Sequence, residues 1–291
     1  MDQVLIIVVL ALLGLCMGSF AGATVWRLRA RQLVEDKAEG EKVDSVEYKK
    51  LKPLTGKSFR ADRSRCLHCG HELAWYDLLP LVSWVSTGGR CRYCHKSIGI
   101  FEPLMELGVA AFFVASYLLW PEILTPLDLV QFVLWLVSGV LLAILFAYDI
   151  KWFLLPNRVV FSLVGVGMVV AALRLFGVAD QTAALFDLGG AIVILSGLYL
   201  LLWYISKGKW IGFGDIKLGL ALAFLLGSWQ MAFLALFLAN LIGCLIVIPG
   251  LISGKMTRKS HVPFGPLLII GFAVAALGGQ QILQWYFSIF L

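Results

Sequence analysis

Two aspartates, Asp149 and Asp215, are the residues of this sequence best suited to acid–base chemistry. Asp149 ends a long uncharged segment, and Asp215 lies in the string Gly212-Phe213-Gly214-Asp215, which closely precedes another uncharged segment. Two carboxylates a few ångströms apart cannot both ionise easily, so such a pair shares a proton and titrates as a unit. One carboxylate can then activate water while the other protonates or polarises a carbonyl, which is the chemistry of an aspartic protease.

Simpler roles are also available to these two carboxylates, and the sequence leaves them open. Asp149 can pair with Lys151 or Arg158 at a membrane surface, and Asp215 is a suitable helix N-cap. Asp149 is nevertheless unusual, because the helix dipole disfavours an anion at the C-terminal end of a helix. Asp215 is followed by too few residues before Gly227 for a comfortable membrane crossing, which draws it towards the membrane.

Two further carboxylates, Glu102 and Glu106, flank Pro103 at the start of an apolar segment. Acidic residues near the beginning of a helix complement the helix dipole, and proline is favoured at the first helical position. We therefore attribute these two glutamates to the beginning of a helix and assign them no chemistry.

Four cysteines form two C-x2-C pairs, a spacing typical of metal-binding knuckles. Cys66 and Cys69 form the first pair, and Cys91 and Cys94 form the second. Four thiolates can surround one Zn²⁺ tetrahedrally, and a site closed in this way is structural rather than catalytic. Disulfides, a redox pair and an iron–sulfur cluster are the alternatives; a cytosolic loop disfavours disulfides, and nothing else in the sequence indicates electron transfer. The sequence therefore predicts a structural zinc site.

The composition is that of a protein built into a membrane. The chain of 291 residues is 60% hydrophobic and 14% charged, with a mean hydropathy of +0.88, whereas a soluble domain is roughly half apolar and a quarter charged. We predict an all-α polytopic protein of about eight membrane-spanning helices, each needing about 20 apolar residues. The uncharged run from Leu218 to Gly254 is too long for one crossing and is predicted to fold back at residues 227–230. The other predicted spans are Val4–Trp26, Leu107–Pro121, Leu129–Tyr148, Val159–Leu173, Leu188–Ser206 and Val262–Leu291.

The distribution of positive charge predicts an orientation. All of the 24 Lys and Arg residues except Arg174 lie in loops 27–101, 149–158, 206–217 and 253–260. Loops rich in Lys and Arg face the cytoplasm, so we expect these four loops inside and both chain termini outside. The same asymmetry accounts for the net charge of +6, and we therefore expect no nucleic-acid partner.

We divide the chain into three parts. Residues 1–26 form the first membrane helix, 27–101 a small cytoplasmic loop domain with a zinc-ribbon-like site at 66–94, and 102–291 a seven-helix membrane domain. The first half of the loop, from Arg31 to Lys57, mixes acidic and basic residues densely and is predicted to be a solvated helix or a mobile linker. In this topology both aspartates lie at cytoplasmic ends of helices, at similar depth.

Five motifs, in this order along nearly the whole chain, resemble those of the type IV prepilin leader peptidase family. They are Met17-Gly18-Ser19-Phe20, the cysteine knuckles with Gly88–Cys94, Asp149 with Leu155-Pro156-Asn157, Gly212–Leu218 with Asp215, and Pro263–Pro266. Gly22 and Ala30 stand where that family often has Asn and Pro. The resemblance implies a membrane aspartic endopeptidase in which Asp149 and Asp215 are catalytic.

The same resemblance implies substrates and cofactors. The substrates are prepilins or pseudopilins of type IV pili or type II secretion, cut on the cytoplasmic side between a short basic leader and an apolar helix. Many members of the family also N-methylate the newly exposed residue, which implies S-adenosylmethionine as methyl donor. We expect the lipid bilayer as a further partner, and no small-molecule substrate apart from that donor.

Three other functions fit parts of this pattern. A presenilin-like intramembrane protease shares the two aspartate motifs but cuts within a helix, and the knuckles favour the prepilin type. A proton-coupled transporter is expected to carry mid-membrane acids and inverted repeats, which the sequence does not show. A non-catalytic scaffold explains the cysteines but not the matched depth of Asp149 and Asp215.

Overall fold

The computed structural model describes residues 3–55, 63–120, 125–254 and 262–290, and most of these residues are helical. The helices are α1 Gln3–Ala38, α2 Ser45–Leu51, α3 Val82–Ser86, α4 Phe101–Leu119, α5 Pro126–Trp152, α6 Asn157–Gly177, α7 Gln181–Ile192, α8 Leu198–Ser206, α9 Phe213–Leu226, α10 Trp229–Ile252 and α11 Phe264–Phe290. A π-helical turn, Val193–Gly197, joins α7 to α8, and 3₁₀ turns occupy Lys52–Leu54 and Trp75–Leu78. Most of the predicted basic loop 253–260, together with Lys57, Pro121 and Leu291, lies outside the described residues.

The prediction of an all-α polytopic membrane protein is confirmed. Within the described ranges, seven helices are long and apolar enough to cross a membrane: α1, α4, α5, α6, the continuous α7–α8 segment, α10 and α11. The predicted fold-back is also present, since α9 ends at Leu226 and α10 begins at Trp229. Helix α9 has only 14 residues, about 21 Å of helix, which is shorter than the ~30 Å hydrocarbon core of a bilayer.

The chain forms two compact units, Met1–Tyr117 and Leu118–Leu291. In the first unit, glycines let α1 and α4 approach closely, as is common between membrane helices. A Cβ added at Gly14 would lie 2.5 Å from the Cα of Ala110, and one added at Gly18 would lie 2.5 Å from the Cα of Glu106. The two helices therefore pack in opposite directions, in register at steps of four residues.

Helix α1 continues far beyond its apolar segment, and the charged half of the predicted loop folds against it. Ala30 and Leu33 on α1 are buried together with Leu51 and Leu54. Arg29 also pairs with Glu47 of α2 at 2.7 Å. Within the described residues, this half of the loop therefore contains two helical stretches, to Ala38 and from Ser45, that are buried on one side and exposed on the other. Of the two alternatives predicted for it, the solvated helix fits and the mobile linker does not.

In the second unit, the short helix α9 is surrounded by other helices and most of its side chains from Ile216 to Leu225 are buried. Gly219 packs directly against the Leu195 carbonyl of the π-helical turn, where a Cβ would overlap that oxygen. The Ser196 hydroxyl donates a hydrogen bond of 3.0 Å to the Ile216 carbonyl. These contacts hold α9 against the π-helical turn at a backbone-to-backbone distance that only glycine permits.

Arg174 and Gly227 satisfy the backbone at the other end of α9. The Arg174 guanidinium donates hydrogen bonds of 2.6 and 2.9 Å to the carbonyls of Leu225 and Leu226. Gly227 follows as the left-handed C-cap, with φ of 67°. A helix that ends among apolar neighbours leaves its last carbonyls without partners, and the guanidinium supplies them together with a favourable charge for the helix dipole.

We expect Gly219→Ala to destabilise the protein by about 2 kcal/mol or more, because the added methyl group overlaps a backbone carbonyl that cannot move independently. Gly165→Ala in α6 is the matched control, since a Cβ there meets nothing within 4 Å; it should leave stability unchanged or raise it slightly. Thermal unfolding in detergent compares the two variants. Equal midpoints for both would show that the contact with Leu195 does not constrain α9.

Candidate active site and candidate metal centre

Asp149 lies in the last turn of α5, where its side chain is only 5% exposed. Its carboxylate Oδ2 accepts a hydrogen bond of 3.1 Å from the backbone N–H of Gly265, in the first turn of α11. The first N–H groups of a helix have no partner within the helix and attract an anion. The carboxylate that sits unfavourably at the end of its own helix is therefore stabilised by the beginning of another.

Gly265 is required for this approach. A Cβ at residue 265 would lie 2.7 Å from Asp149 Oδ2 and 3.6 Å from Leu155 Cδ2. Phe153, the left-handed C-cap of α5, donates its N–H to the Asp149 carbonyl at 2.8 Å and turns the chain towards Leu155.

Asp215 is the third residue of α9, and Gly212 rather than Asp215 is the N-cap. The Asp215 N–H donates to the Gly212 carbonyl at 3.2 Å, and the Gly212 backbone in turn hydrogen-bonds the Asp215 carboxylate. This reciprocal arrangement is the one expected for an acidic side chain at the third helical position. The carboxylate is thus fixed in the first turn of α9 and is partly buried.

The structure brings the two aspartates together from distant parts of the chain. Asp149 and Asp215 are close enough for their like charges to repel each other. Leu155 packs against both Gly214 and Gly265: a Cβ at Gly214 would lie 3.2 Å from the Cβ and Cδ1 of Leu155. Lys217 also donates a hydrogen bond to the Asn157 side chain, which joins the beginning of α9 to the beginning of α6.

One further residue belongs to this site, and sequence reasoning did not find it. Tyr199 on α8 is buried, interacts electrostatically with Asp215, and packs its ring edge-on against Phe264 at a centroid distance of 5.4 Å. Nothing in the string Leu198–Ser206 distinguishes this tyrosine, because its importance comes from which helix it faces. Glu106, by contrast, is the sixth residue of α4 and lies beyond the first turn, where only Glu102 is acidic. Its structural role is therefore different from the one predicted: it accepts a 2.8 Å hydrogen bond from the Leu81 N–H.

The four predicted metal ligands also lie together, in the first unit. The sulfur atoms of Cys66, Cys69, Cys91 and Cys94 all lie within 4.8 Å of one another, and the Cys66 and Cys94 sulfurs are 3.9 Å apart. Ligands around a tetrahedral zinc are separated by about 3.8 Å when each Zn–S bond is about 2.3 Å. The cluster therefore has dimensions that can hold one metal ion.

The two knuckles have the same local geometry. Gly70 and His95 follow the second cysteine of each pair in a left-handed conformation, with φ of 71° and 57°. The Gly70 and His95 N–H groups donate to the carbonyls of Cys66 and Cys91, each at 2.9 Å. Isolated β-bridges, Arg65 with Glu72 and Arg90 with Ser97, close the two turns at equivalent positions.

The surroundings of Cys91 favour its thiolate. Burial raises the pKa of the Cys91 thiol. Hydrogen bonds from the backbone of Cys94 and Tyr93 and from neighbouring thiols outweigh this effect and bring the pKa down to about 7. Metal ions bind the thiolate rather than the thiol. Asp77 supports the second knuckle: burial raises the pKa of its carboxyl, yet hydrogen bonds from Arg92, Tyr93 and the Ala74 backbone bring that pKa below its usual value.

Fold and site together define a helical, multi-pass membrane protein that carries a paired-carboxylate site and a tetracysteine cluster. Residues 12–120 match the bacterial peptidase A24 N-terminal domain, and residues 136–248 match the type IV leader peptidase family. The chain is 30% identical to the prepilin leader peptidase/N-methyltransferase of Pseudomonas aeruginosa, covering 94% of this chain and 91% of that protein. The chain is 31% identical to the protein of the same name from Aeromonas hydrophila, over 96% of this chain and 93% of that protein.

The Bacillus subtilis prepilin leader peptidase/N-methyltransferase is 29% identical over 80% of this chain and 89% of its own length. No solved structure shows a significant similarity to this chain. The chain therefore belongs to the type IV leader peptidase family, and it is a membrane peptidase. This membership favours neither the presenilin-like protease nor the transporter.

We expect Cys91→Ser to lower the metal bound per chain at least tenfold, because a neutral hydroxyl replaces a thiolate in a closed set of four ligands. Cys244→Ser is the control, since that cysteine lies on the exposed side of α10, outside the cluster. Inductively coupled plasma mass spectrometry of the purified proteins gives the metal content. Retention of the full metal content by Cys91→Ser would exclude this cysteine as a ligand.

Proposed function

We propose that this protein cleaves the basic leader peptide from prepilins or pseudopilins at the cytoplasmic face of the inner membrane, with Asp149 and Asp215 as its catalytic dyad. The observation that carries the proposal is the meeting of these two carboxylates at helix ends. The relatives are named for prepilin leader cleavage, and prepilins are therefore the substrate class proposed for this chain.

The dyad works by sharing one proton. The ionised carboxylate takes a proton from a water molecule as the water oxygen attacks the scissile carbonyl carbon. The protonated carboxyl gives its proton to the carbonyl oxygen, which leaves a tetrahedral intermediate with two hydroxyl groups. In the second step the carboxyl that took the water proton gives it to the leaving nitrogen as the C–N bond breaks, and the other carboxylate recovers its proton from one hydroxyl as the carbonyl re-forms. The Gly265 N–H holds Asp149 in place throughout. We assign the two roles to the pair and not to individual aspartates.

The proposed topology follows from the basic loops. Loop 27–101 and the helix ends that carry Asp149 and Asp215 face the cytoplasm, and both termini lie outside. The proposed division is a first membrane helix at 1–26, a loop domain at 27–101 and a peptidase domain at 102–291. A dyad at the cytoplasmic surface reaches the peptide bond that directly precedes a substrate's membrane helix, which is where a pilin leader ends.

The proposed metal is zinc, bound structurally by Cys66, Cys69, Cys91 and Cys94. The spacing of these sulfurs supports the assignment, and a site filled by four thiolates leaves no open position for catalysis. Zinc would hold the two knuckles together and take no part in proteolysis.

The proposed second activity is N-methylation of the residue exposed by cleavage, with S-adenosylmethionine as the methyl donor. The support is the name N-methyltransferase carried by the relatives. The described residues form no strand followed by a glycine-rich loop, so they do not fit a Rossmann-type donor site. No step of the proposed proteolysis involves the donor.

We expect Asp149→Asn and Asp215→Asn each to lower leader cleavage at least ~100-fold, because each removes one half of an acid–base pair. The assay co-expresses a tagged prepilin with each variant at matched membrane levels and follows the leader-sized shift on a gel. Asp187→Asn is the control, because Asp187 lines a cavity with Arg174 and Gly227 at the other end of α9. Cleavage that persists in either dyad variant would refute the proposed mechanism.

A further inference from the structure

Several large apolar side chains between Trp75 and Ser86 are exposed, and neither the active site nor the metal cluster accounts for them. Trp75 is 76% exposed, Val82 61% and Val85 70%. The others are Tyr76, Leu78 and Leu79, each at least 41% exposed. A concentration of apolar surface of this kind marks a contact with a protein or a membrane.

The depth of this segment can be measured along α1. The Leu81 N–H is hydrogen-bonded to Glu106 at 2.8 Å, and the Cα of Glu106 packs against Gly18. Gly18 precedes Arg27, the first charged residue of α1 after its apolar run, by roughly 13 Å of helix. A glutamate side chain recovers only part of that distance, so Leu81 lies beside the apolar part of α1 rather than beyond its charged end.

The charged group of this segment lies away from its apolar surface. Asp77 is the only charged residue between Trp75 and Ser86, and its side chain is only 8% exposed. Its carboxylate accepts hydrogen bonds of 3.0 Å from both Arg92 and Tyr93 of the second knuckle. One face of the segment is therefore polar and bound to the knuckle, and the opposite face is uncharged and carries the aromatic side chains favoured at a membrane surface.

We propose that Trp75–Ser86 is embedded in the cytoplasmic half of the bilayer, with Trp75, Val82 and Val85 in contact with lipid acyl chains. This inference rests on the proposed topology and not on the peptidase mechanism. The segment ties the metal-binding knuckles to the membrane surface. Its exposure resembles that of Val4 and Leu12 on α1, 71% and 58%, which are predicted to face lipid.

The test is photolabelling from within the bilayer. Full-length protein is reconstituted in phosphatidylcholine/phosphatidylglycerol vesicles that contain a phospholipid with a diazirine at the end of an acyl chain. The vesicles are irradiated, and the labelled peptides are identified by mass spectrometry. The peptide containing residues 75–86 should be labelled at least tenfold more than the α2 peptide containing Val46, which is 74% exposed. Labelling no higher than that of the Val46 peptide would overturn the proposal and assign the surface to a protein partner.

A pair of lysine variants gives an independent readout. Val85→Lys should lower labelling of the segment about fivefold or more, because a charged group in hydrocarbon is unfavourable, while Val46→Lys should change nothing. Unchanged metal content shows that the knuckles remain folded in both variants. If Val85→Lys leaves labelling intact, the side chain does not contact acyl chains and the proposal fails.

A second inference comes from Tyr199, whose hydroxyl is buried and has no hydrogen-bond partner among the described residues. Tyr199 lies one turn beyond Leu195, which packs against Gly219, and Asp215 lies one turn before Gly219. Because α8 and α9 run in opposite directions, this spacing brings Tyr199 to the level of Asp215. A buried hydroxyl without a hydrogen-bond partner is unfavourable. Because the Tyr199 hydroxyl lies at the level of a proposed catalytic carboxylate, we expect its partner to be a group of the bound substrate.

We infer that the Tyr199 hydroxyl donates a hydrogen bond to the oxygen of the scissile carbonyl, and this inference rests on the proposed dyad. The tyrosine keeps its own proton. As the water oxygen bonds to the carbonyl carbon, the π electrons move to the carbonyl oxygen, which receives the proton of the neutral carboxyl. A fixed donor beside that oxygen stabilises the charge that develops on it.

Tyr199→Phe should lower kcat for prepilin cleavage by roughly 10-fold to 100-fold, at or below the effect of removing one donor from an oxyanion hole. KM should change less than about twofold. Its thermal midpoint should stay the same or rise, because the hydroxyl it removes stabilises nothing in the free protein. Tyr204→Phe is the control on the same helix, where the side chain is 77% exposed, and it should match the wild type.

Wild-type cleavage by Tyr199→Phe would overturn the inference and leave the dyad intact. A raised KM with unchanged kcat would also overturn it, since the tyrosine would then only bind the ground state. A lowered thermal midpoint with lost activity would show a structural role instead. Failure of the dyad itself is a separate result, recognised by cleavage that persists in Asp149→Asn or Asp215→Asn.

Discussion

The hydrogen bond from the Gly265 N–H to Asp149 is the interaction on which the arrangement of the proposed active site depends. A carboxylate at the C-terminal end of a helix, surrounded by apolar residues, has neither water nor a favourable helix dipole to stabilise it. The beginning of α11 supplies both a donor and a dipole of the right sign. Because the approach is a backbone contact, it fixes the position of α11 relative to α5 and leaves no space for a side chain at residue 265.

The second aspartate is positioned by a helix too short to span a bilayer on its own. Helix α9 is held at one end by Arg174, which binds its last carbonyls, and near its middle by the contact of Gly219 with the π-helical turn. Fixing the helix at these two points determines where its first turn, and hence Asp215, must lie. The π-helical turn is a local departure from α geometry of a kind common at functional sites, and here it packs against α9, which carries Asp215 of the proposed dyad.

The two cysteine knuckles belong to the other compact unit, Met1–Tyr117, and each is shaped mainly by local hydrogen bonds. Polar groups there are satisfied locally, by turns that hydrogen-bond back to the first cysteine of each pair and by the pairing of Asp77 with Arg92. Each knuckle is therefore set by its own turn, whereas the meeting of the two knuckles joins cysteines 28 positions apart, Cys66 and Cys94. The segment between the two knuckles, in contrast, is held against α4 by Glu106, whose carboxylate accepts the Leu81 N–H.

The class of the protein and its candidate chemical groups could be recognised from the amino-acid sequence alone. Long uncharged runs indicate membrane helices, and the two cysteines of a C-x2-C pair are brought together by one local turn, so both features can be recognised from consecutive residues. The same holds for the fold-back at Gly227. Asp149 and Asp215 stood out because charge is rare in such surroundings.

The contacts of these residues could not be predicted in this way and are known from the packing of the helices. Gly265 as the partner of Asp149, Leu155 against two glycines and Tyr199 beside Asp215 all depend on which helix faces which. In an apolar sequence every face of a helix is hydrophobic, so no periodicity reveals the buried side. Packing between membrane helices is set instead by backbone approach at small residues, and the positions where that approach occurs are known only when both helices are in place.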